Sequence, residues 1–238
     1  MNARQYYNAR STRRRLLAEG DGIRNTHNFV KAVLIAEYVP AASHILDLGC
    51  GQGGDLLKFK RRSPKSYRGI DISHTAIEAL SKRIAHIKMR CRVKLECFDF
   101  SERSWAADPK LDVVSCQFAI QYAFSSPTHA EHVFRCISAA LKNGGVFIGT
   151  VPVHPDLSYH AVIVRLPDDS RECAEFSAQR DDILDLCVRN GLRLELWQGF
   201  TEYYLEKVEQ YGELVAAMRA KHLPDSNNAV FAFRKTGI

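Results

Sequence analysis

The chain lacks the features that mark membrane, secreted or metal-binding proteins. No apolar run among its 238 residues is long enough to cross a bilayer, and its first residues are polar and carry arginines without an apolar core. Its seven cysteines are odd in number, scattered and without the pair spacing of a metal site. These absences argue against a membrane partner, a secretory signal and a disulfide framework. We expect an intracellular protein with reduced cysteines and no bound metal.

The composition that remains is that of one α/β domain. With 46% hydrophobic and 25% charged residues, the chain can bury a substantial core, and disorder is not expected. The net charge of +6 fits a polyanionic partner, and basic residues cluster at 10–15, 58–68 and 82–94. We predict a basic, flexible arm over residues 1–22 and a single domain over 23–238, present as a monomer.

Alternating patterns predict a parallel sheet with helices on both faces. Residues 23–151 form the first half, in which a helix over 26–38 is followed by strands at 44–48, 67–71, 92–98, 111–116 and 145–151 and helices at 54–61, 74–90 and 128–141. Residues 152–238 are less regular. They hold one short apolar run at 161–166, helices at 181–190 and 203–221, and strands at 192–198 and 229–234.

A glycine-rich turn follows the first strand. Gly49, Gly51 and Gly53 permit a tight turn and let a ligand lie against bare backbone, while the next helix begins with unpaired N–H groups. In a dinucleotide dehydrogenase this turn would receive a pyrophosphate. Asp47 lies two residues before the first glycine and would repel that anion. The acid instead favours a cationic ligand, such as the α-amino group of a methionine-derived cofactor.

Two further acids follow successive strands. Asp71 ends the second strand, where it could accept hydrogen bonds from a ribose diol, and Asp99 follows the third, where it could accept from an adenine amino group. The alternative is that Asp47 and Asp99 are ordinary strand-end or helix-capping acids. Three acids at three strand ends favour the cofactor, and the pattern resembles the S-adenosylmethionine-dependent methyltransferase fold.

Four segments together give a narrower resemblance. They are 24–31 (RNTHNFVK), 53–58 (GGDLLK), 115–124 (SCQFAIQYAF) and 143–150 (NGGVFIGT). In combination they resemble the mRNA cap guanine-N7 methyltransferase family over most of 5–151, and again around 175–207 and 230–235. The resemblance implies a class I methyltransferase (Rossmann-like) fold with a seven-stranded, mostly parallel sheet. It further implies transfer of a methyl group from S-adenosylmethionine to N7 of the cap guanosine of GpppN-RNA.

The family's site residues map onto this sequence by position. The resemblance implies that the cofactor is bound by Lys31, Asp47, Gly49, Gly51, Asp55, Asp71, Ile72, Asp99, Phe100, Gln117 and Tyr122. It implies that the cap is bound by Asn28, Arg83, Phe118, Gln121, Tyr122, Glu175 and Phe176. No residue is assigned as an acid or base, because guanine N7 has a free lone pair at neutral pH and the sulfonium methyl is already activated. The family works by positioning both ligands.

The resemblance also gives roles to individual side chains. Lys31 would reach the cofactor carboxylate, Phe118 and Tyr122 would wall the guanine, and Glu175 would accept from its N1–H and amino group. Arg83 would meet the cap triphosphate. The alternatives are a solvated surface lysine at 31, core packing of the two aromatic rings, and a solvated helix face at 83.

The sequence departs from the family at four positions. Gln52 replaces a lysine in the turn, His27 an asparagine, Gln121 a histidine and Asn228 a tyrosine, although the Gln121 amide could still donate to guanine O6. The segment between Thr150 and Glu175 is also shorter than in the family. These departures leave two alternatives open: a methyltransferase acting on another RNA or a small molecule, and an inactive stimulatory subunit of a capping complex.

The family resemblance also implies partners and a location. The capping enzymes guanylyltransferase and triphosphatase, or an RNA polymerase, are the candidate protein partners. The protein would lie in the nucleus if it is cellular, and in the cytoplasm or virion if it is viral.

Overall fold

A central β-sheet organises the protein. The computed structural model describes residues 4–6, 8, 21–105, 109–153, 159, 161–165, 172–224 and 227–237. Its strands are β1 (His44–Leu48), β2 (Ser66–Asp71), β3 (Arg92–Cys97), β4 (Leu111–Gln117), β5 (Leu141–Pro152), β6 (Ala161–Arg165), β7 (Glu172–Phe176), β8 (Leu192–Gly199) and β9 (Asn228–Lys235). Seven of these form one sheet in the order β3-β2-β1-β4-β5-β9-β8, and β6 pairs with β7 in a separate two-stranded sheet.

The sheet is mostly parallel, as the sequence predicts. The pairs β3-β2, β2-β1, β1-β4 and β4-β5 are parallel, whereas β9 runs antiparallel to both β5 and β8. The strand order reverses between β1 and β4, because the chain first adds strands on one side of β1 and then on the other. In open α/β sheets, ligands bind beyond the carboxyl ends of the strands at such a reversal.

Helices connect most of the strands. They are α1 (Asp21–Tyr38), α2 (Leu56–Lys60), α3 (His74–Ile87), α4 (Pro127–Ala140), α5 (Arg180–Arg189), α6 (Phe200–Lys207) and α7 (Gly212–Met218), with a 3-10 helix at Ile120–Ser125. Serine side chains begin two of them: Ser73 accepts from the Ala76 N–H, and Ser126 accepts from the His129 N–H. These caps explain why α3 and α4 start where they do.

Alternation along the strands builds a core on each face of the sheet. In β1, Leu46 and Leu48 join a core with α4 and α5, whereas Ile45 joins the opposite core with α1 and α6. In β5, Phe147 belongs to the first core, and its flanking residues belong to the second. The period of two therefore sets which helices cover which side of the sheet, and Asp47 lies on the α1 side.

Several predicted boundaries differ from the structure. The helix predicted at 54–61 is shorter, since residues 51–55 form a turn, and the one predicted at 203–221 divides into α6 and α7. Gly212 begins the second of these, and glycine is a poor helix former. The region that lacked a clear pattern contains the β6-β7 hairpin, of which the sequence predicted only the apolar run.

Part of the predicted N-terminal arm packs against the domain. Tyr6 is fully buried. The side chain of Asn8 accepts a hydrogen bond of 2.8 Å from the Ser73 hydroxyl, and its carbonyl accepts one of 3.0 Å from Thr75. This differs from the expected flexible arm at these positions. The basic cluster at 10–15 lies outside the described residues.

The described residues contain neither a membrane-spanning helix nor a cluster of metal ligands. No helix in the described ranges has both the length and the apolar character to cross a membrane. Among the same residues, no group of three or more His, Cys, Asp and Glu side chains is arranged to hold a metal ion.

Candidate active site

The candidate site lies beyond the carboxyl ends of β1, β2 and β4, where the strand order reverses. The glycine turn follows β1, Asp71 is the last residue of β2 and Gln117 is the last residue of β4. Parallel pairing keeps these strand ends at one edge, since Leu48 lies opposite both Ile70 and Cys116. The predicted cofactor residues of three separate segments therefore meet at one edge of the sheet.

Gly49 and Gly51 in the turn are each required to be glycine, but for different physical reasons. Gly49 and Gly51 both have positive φ, +67° and +51°. A Cβ atom at Gly49 would lie 2.3 Å from the Cβ of Ala119, so packing against the β4 segment requires glycine there. A Cβ at Gly51 would meet no atom within 4 Å among the described residues. The backbone at Gly51 is thus open toward the site, which is the space a ligand needs.

Asp47 is buried below the turn and accepts a 2.8 Å hydrogen bond from the Tyr67 hydroxyl. Burial, with the nearby charge of Asp55, raises the pKa of Asp47 to about 8. The carboxyl is therefore largely protonated near neutral pH in the protein alone. A cationic ligand group beside it would favour the ionised form. Tyr67 was not predicted as a site residue, because its strand pattern indicates only that it faces a core.

Asp55 is held by two lysines. Its carboxylate accepts from the ammonium groups of Lys31 at 2.9 Å and Lys58 at 2.6 Å. Burial alone would raise the pKa of Asp55, but the two cations outweigh it and lower this pKa to about 2. Lys58 also donates to the Asn28 side chain at 3.1 Å and to the Gly54 carbonyl at 3.2 Å. This network joins α1 to the glycine turn.

Lys58 was missed as a site residue. Its signal in the sequence is an i, i+3 spacing from Asp55, with apolar residues on either side at Leu57 and Phe59. The ammonium is buried, and burial lowers the pKa of Lys58 below its ordinary value. A lysine buried among three acceptors is not the solvated side chain that this segment would otherwise suggest.

The acids after β2 and β3 also bind their own turns. Asp71 accepts from the N–H groups of Gly51 at 2.7 Å and Ser73 at 2.8 Å, and burial raises the pKa of Asp71. Asp99 accepts from the N–H of Ser101 at 2.9 Å and from its hydroxyl at 2.7 Å through a single oxygen. Both acids therefore have the capping role that the sequence left open for Asp99. Each carboxylate oxygen has two lone pairs, so capping leaves acceptor sites for a ligand.

The neighbours of these acids differ in exposure. Ile72 is half-buried between β2 and α3, whereas Phe100 is buried in the core beside Trp105, whose indole N–H donates to the Phe100 carbonyl at 3.2 Å. The ring of Phe100, predicted as a cofactor contact, is therefore a core side chain.

The side-chain amide of Gln117 is hydrogen-bonded through its nitrogen but, among the described residues, not through its oxygen. Its Nε2 donates to the Ser115 hydroxyl at 3.1 Å, but its Oε1 is buried without a hydrogen-bond partner among the described residues. A buried, unpaired acceptor costs about 1–3 kcal/mol. Such an atom at the end of β4 marks a place where a ligand could supply the missing donor after a small side-chain movement.

Phe118 has a strained backbone. Its φ is +55°, a value that bulky residues rarely adopt, and its N–H is held at 3.0 Å by both the carbonyl and the hydroxyl of Thr150. Its ring stacks on His27 with centroids 5.8 Å apart and packs on Phe200 at 5.6 Å. His27, one of the departures from the family, thus supports the ring that was predicted to wall the guanine.

A polar cluster surrounds Glu175. The carboxylate is buried and accepts from the Tyr122 hydroxyl at 2.8 Å and from the Gln121 amide at 3.4 Å. The same Gln121 amide donates to the Phe118 carbonyl at 3.1 Å. Its two N–H groups are therefore directed at protein acceptors, so the donation to guanine O6 that the sequence suggested would require one of these bonds to open. The cluster brings β7 to the end of β4.

Four other residues lie around this cluster or farther out. Phe176 is half-buried and packs against the core beneath Glu175. Arg83 is half-exposed on α3, and its charge reaches the buried ammonium of Lys58. Gln52 is exposed at the tip of the turn, while Asn228 is buried opposite Pro152 at the start of β9.

Comparison with known proteins identifies the family. The model of the mRNA (guanine-N(7))-methyltransferase domain matches residues 2–170. The mRNA cap guanine-N(7) methyltransferase of Schizosaccharomyces pombe is 34% identical over 161 residues, covering 63% of this chain and 45% of the relative. The Drosophila melanogaster protein of the same name is 26% identical over 255 residues, covering 82% and 58%. The chain spans about half the length of these curated relatives.

Solved structures share the fold at low sequence identity. A putative S-adenosylmethionine-dependent methyltransferase from Listeria monocytogenes has a TM-score of 0.65 at 14% identity, covering 91% of this chain and all of that one. A methyltransferase from Clostridium acetobutylicum has a TM-score of 0.62 at 16% identity, with coverages of 90% and 92%. The class I methyltransferase fold expected from the sequence is confirmed. The chain belongs to the mRNA cap guanine-N7 methyltransferase family.

Proposed function

We propose that this chain transfers a methyl group from S-adenosylmethionine to N7 of the guanosine cap of GpppN-ended RNA. The observation that carries the proposal is the buried carboxylate of Glu175, fixed by Tyr122 and Gln121 at the carboxyl edge of the sheet. A carboxylate fixed in this way offers two acceptors side by side. Guanine presents two donors there, N1–H and the amino group, whereas adenine presents an acceptor at N1. The pair therefore favours guanine.

The residues around the turn fit the proposed cofactor. Bound S-adenosylmethionine supplies an electrophilic methyl group on its sulfonium. Gly51 leaves open space above the turn, and the Oε1 atom of Gln117 lacks a donor among the described residues. The side chains proposed to hold the cofactor are Asp47 for the amino group, Lys31 for the carboxylate, Asp71 for the ribose hydroxyls, Asp99 for the adenine amino group and Gln117 by its amide.

The protein's contribution to the reaction is positioning. Guanine N7 needs no deprotonation, so no side chain has to act as a base. Holding both reactants in a reactive arrangement can supply roughly 7–11 kcal/mol of the barrier. The bidentate recognition by Glu175 orients the purine, and the rings of Phe118 and Tyr122 limit its tilt. The strained φ of Phe118 supports this role, because strain of this kind concentrates at functional sites.

The proposed substrate also implies where and with what the chain works. Capped RNA is made inside the cell, so we propose an intracellular protein that acts after a guanylyltransferase and a triphosphatase have built the cap. Association with these enzymes or with an RNA polymerase is part of the proposal. A nuclear location goes with a cellular origin.

A cap-analogue assay with labelled S-adenosylmethionine tests the proposal. The chain should label GpppA and GpppG but not ApppA. Glu175→Gln removes one acceptor while it can still bind Tyr122, so kcat/KM for GpppA should fall by roughly 100-fold or more, with S-adenosylhomocysteine affinity unchanged. Glu213→Gln, an exposed acid on α7, is the matched control and should leave both unchanged.

The outcomes separate the alternatives. Equal labelling of GpppA and ApppA would show that the site does not select guanine, and it would favour another RNA or a small molecule as the substrate. Cofactor binding with no labelling of any cap would favour an inactive stimulatory subunit. Full activity in Glu175→Gln would show that the guanine pocket lies elsewhere.

A further inference from the structure

One corner of the sheet concentrates positive charge. Residues 58–96 contain twelve Lys and Arg against three Asp and Glu, a net charge of +9 where the whole chain carries +6. The remaining residues together therefore carry −3. Of these twelve cations, the cofactor and cap site described above includes only Lys58 and Arg83.

The fold gathers six of these cations at the amino-terminal ends of β2 and β3. The Arg92 N–H donates to the Lys65 carbonyl at 3.3 Å, and the Lys60 ammonium binds the Ile87 carbonyl at the end of α3. Lys94 lies opposite Arg68 in the strand register. We call the basic corner the set formed by Lys60, Lys65, Lys88, Arg90, Arg92 and Lys94.

The basic corner is exposed and weakly neutralised. All six residues are exposed, and β3 is the edge strand of the sheet. Lys94 pairs with Glu96 at 3.2 Å, but this acid also binds Arg68 at 2.5 Å. Within the described part of the chain, no acid forms an ion pair with the other five. Uncompensated cations at this density are the footprint of a polyanion site.

Helix α3 connects the corner to the candidate active site. Its first residues follow Asp71, and its 14 residues rise about 21 Å toward Lys88 at about 1.5 Å per residue. Lys82 and Arg83 lie between the two ends, and the charge of Arg83 reaches Lys58 beneath the glycine turn. Lys82 and Arg83 thus lie on the helix that joins the site to the corner, and Lys88 follows the last turn of that helix.

We propose that α3 and the basic corner bind the sugar-phosphate backbone of the single-stranded RNA that leaves the cap pocket. The inference rests on the proposed function for the source of that RNA. A polyphosphate chain fits better than an acidic protein surface because α3 leads from the site where the cap of that RNA would bind to the exposed, weakly neutralised cations of the corner. Binding would be independent of sequence and sensitive to salt, as backbone contacts are.

The test compares a short and a long substrate. Arg90→Gln with Arg92→Gln removes two exposed charges of the corner, and Arg135→Gln with Lys221→Gln removes two exposed charges elsewhere. The corner variant should raise KM for a capped 20-mer by about fivefold per lost contact at 0.1 M salt, with kcat and the KM for GpppA unchanged. The slope of log affinity against log salt should fall by about 1.4. Arg90→Lys with Arg92→Lys should restore the wild-type values.

The outcomes are distinct from those of the cap assay. A corner variant that matches its control on the capped 20-mer overturns the proposal, whether or not the corner binds an acidic protein. If no cap is methylated at all, fluorescence anisotropy with an uncapped, labelled 20-mer still tests the corner. Weaker binding by the corner variant, but not by its control, would then support RNA-backbone binding by the basic corner even though the proposed function fails.

Discussion

Asp47→Asn should stabilise the ligand-free protein while it weakens cofactor binding. The unfolded chain ionises this carboxyl near its ordinary pKa of 3.8, whereas burial and Asp55 raise the pKa of Asp47 to about 8 in the folded state. At pH 7, which is 3.2 units above the ordinary pKa of this carboxyl, the folded protein must keep the group protonated. At 1.36 kcal/mol per unit, this costs up to about 4 kcal/mol.

The asparagine variant does not carry this cost. Its side-chain oxygen can still accept a hydrogen bond from the Tyr67 hydroxyl, but burying the new NH2 group costs about 1–3 kcal/mol. We therefore expect a net gain of about 1–3 kcal/mol in the free energy of unfolding at pH 7. In a chain of this size each kcal/mol raises Tm by about 2–4 °C.

The pH dependence gives the sign of the effect. Between pH 4 and 8 the folded wild type binds a proton that the unfolded chain has released, so its stability falls as pH rises through this window. The variant has no such group at position 47. Its advantage over the wild type should therefore grow from pH 5 to pH 8 in urea unfolding, and then level off.

An exposed acid provides the control. Asp181→Asn changes the same chemical group at a side chain that is 90% exposed, and its difference from the wild type should stay nearly constant from pH 5 to 8. An Asp47→Asn variant that is less stable than the wild type at pH 8, or whose advantage does not change with pH, would refute the assignment of a raised pKa. Unchanged S-adenosylhomocysteine affinity would refute its role at the cofactor.

Two further predictions concern the glycine turn. Gly51→Ala should weaken cofactor binding by tenfold or more, with a loss of only about 1 kcal/mol in the free energy of unfolding. Gly49→Ala should instead lower Tm strongly, because its methyl group would overlap Ala119. Calorimetry of both variants with and without S-adenosylhomocysteine checks this. Lys58→Met should cost about 3–5 kcal/mol in urea unfolding, since it leaves Asp55 buried with one cation, and a loss below 1 kcal/mol would contradict the buried network.

The sequence predicted the features that depend on local patterns. Hydrophobic alternation located the seven strands of the main sheet, and parallel topology then placed Asp47, Asp71 and Gln117 at one edge. The glycine turn was recognised because its backbone requires glycine at positive φ. These features follow from residue type and chain order, so they need no knowledge of distant contacts.

The features that the sequence did not predict depend on contacts between distant segments. Phe200 reaches the ring of Phe118 from α6, and no local pattern links the two. The positive φ of Phe118 is equally hidden, because bulky residues seldom adopt it and it is imposed by the hydrogen bonds to Thr150. The use of the Gln121 amide to hold Glu175 likewise depends on where β7 lies, and hairpin placement across a region of weak pattern is not local information.

The atom that receives the methyl group decides whether this chain is a cap guanine-N7 methyltransferase. The chain is incubated with methyl-labelled S-adenosylmethionine and GpppA, and the product is digested to nucleosides and separated by chromatography beside standards of each methylated nucleoside. All of the label should lie on 7-methylguanosine. Label on the adenosine, on a ribose hydroxyl or on another guanine atom would contradict it, because the site around Glu175 would then hold the cap in a different orientation.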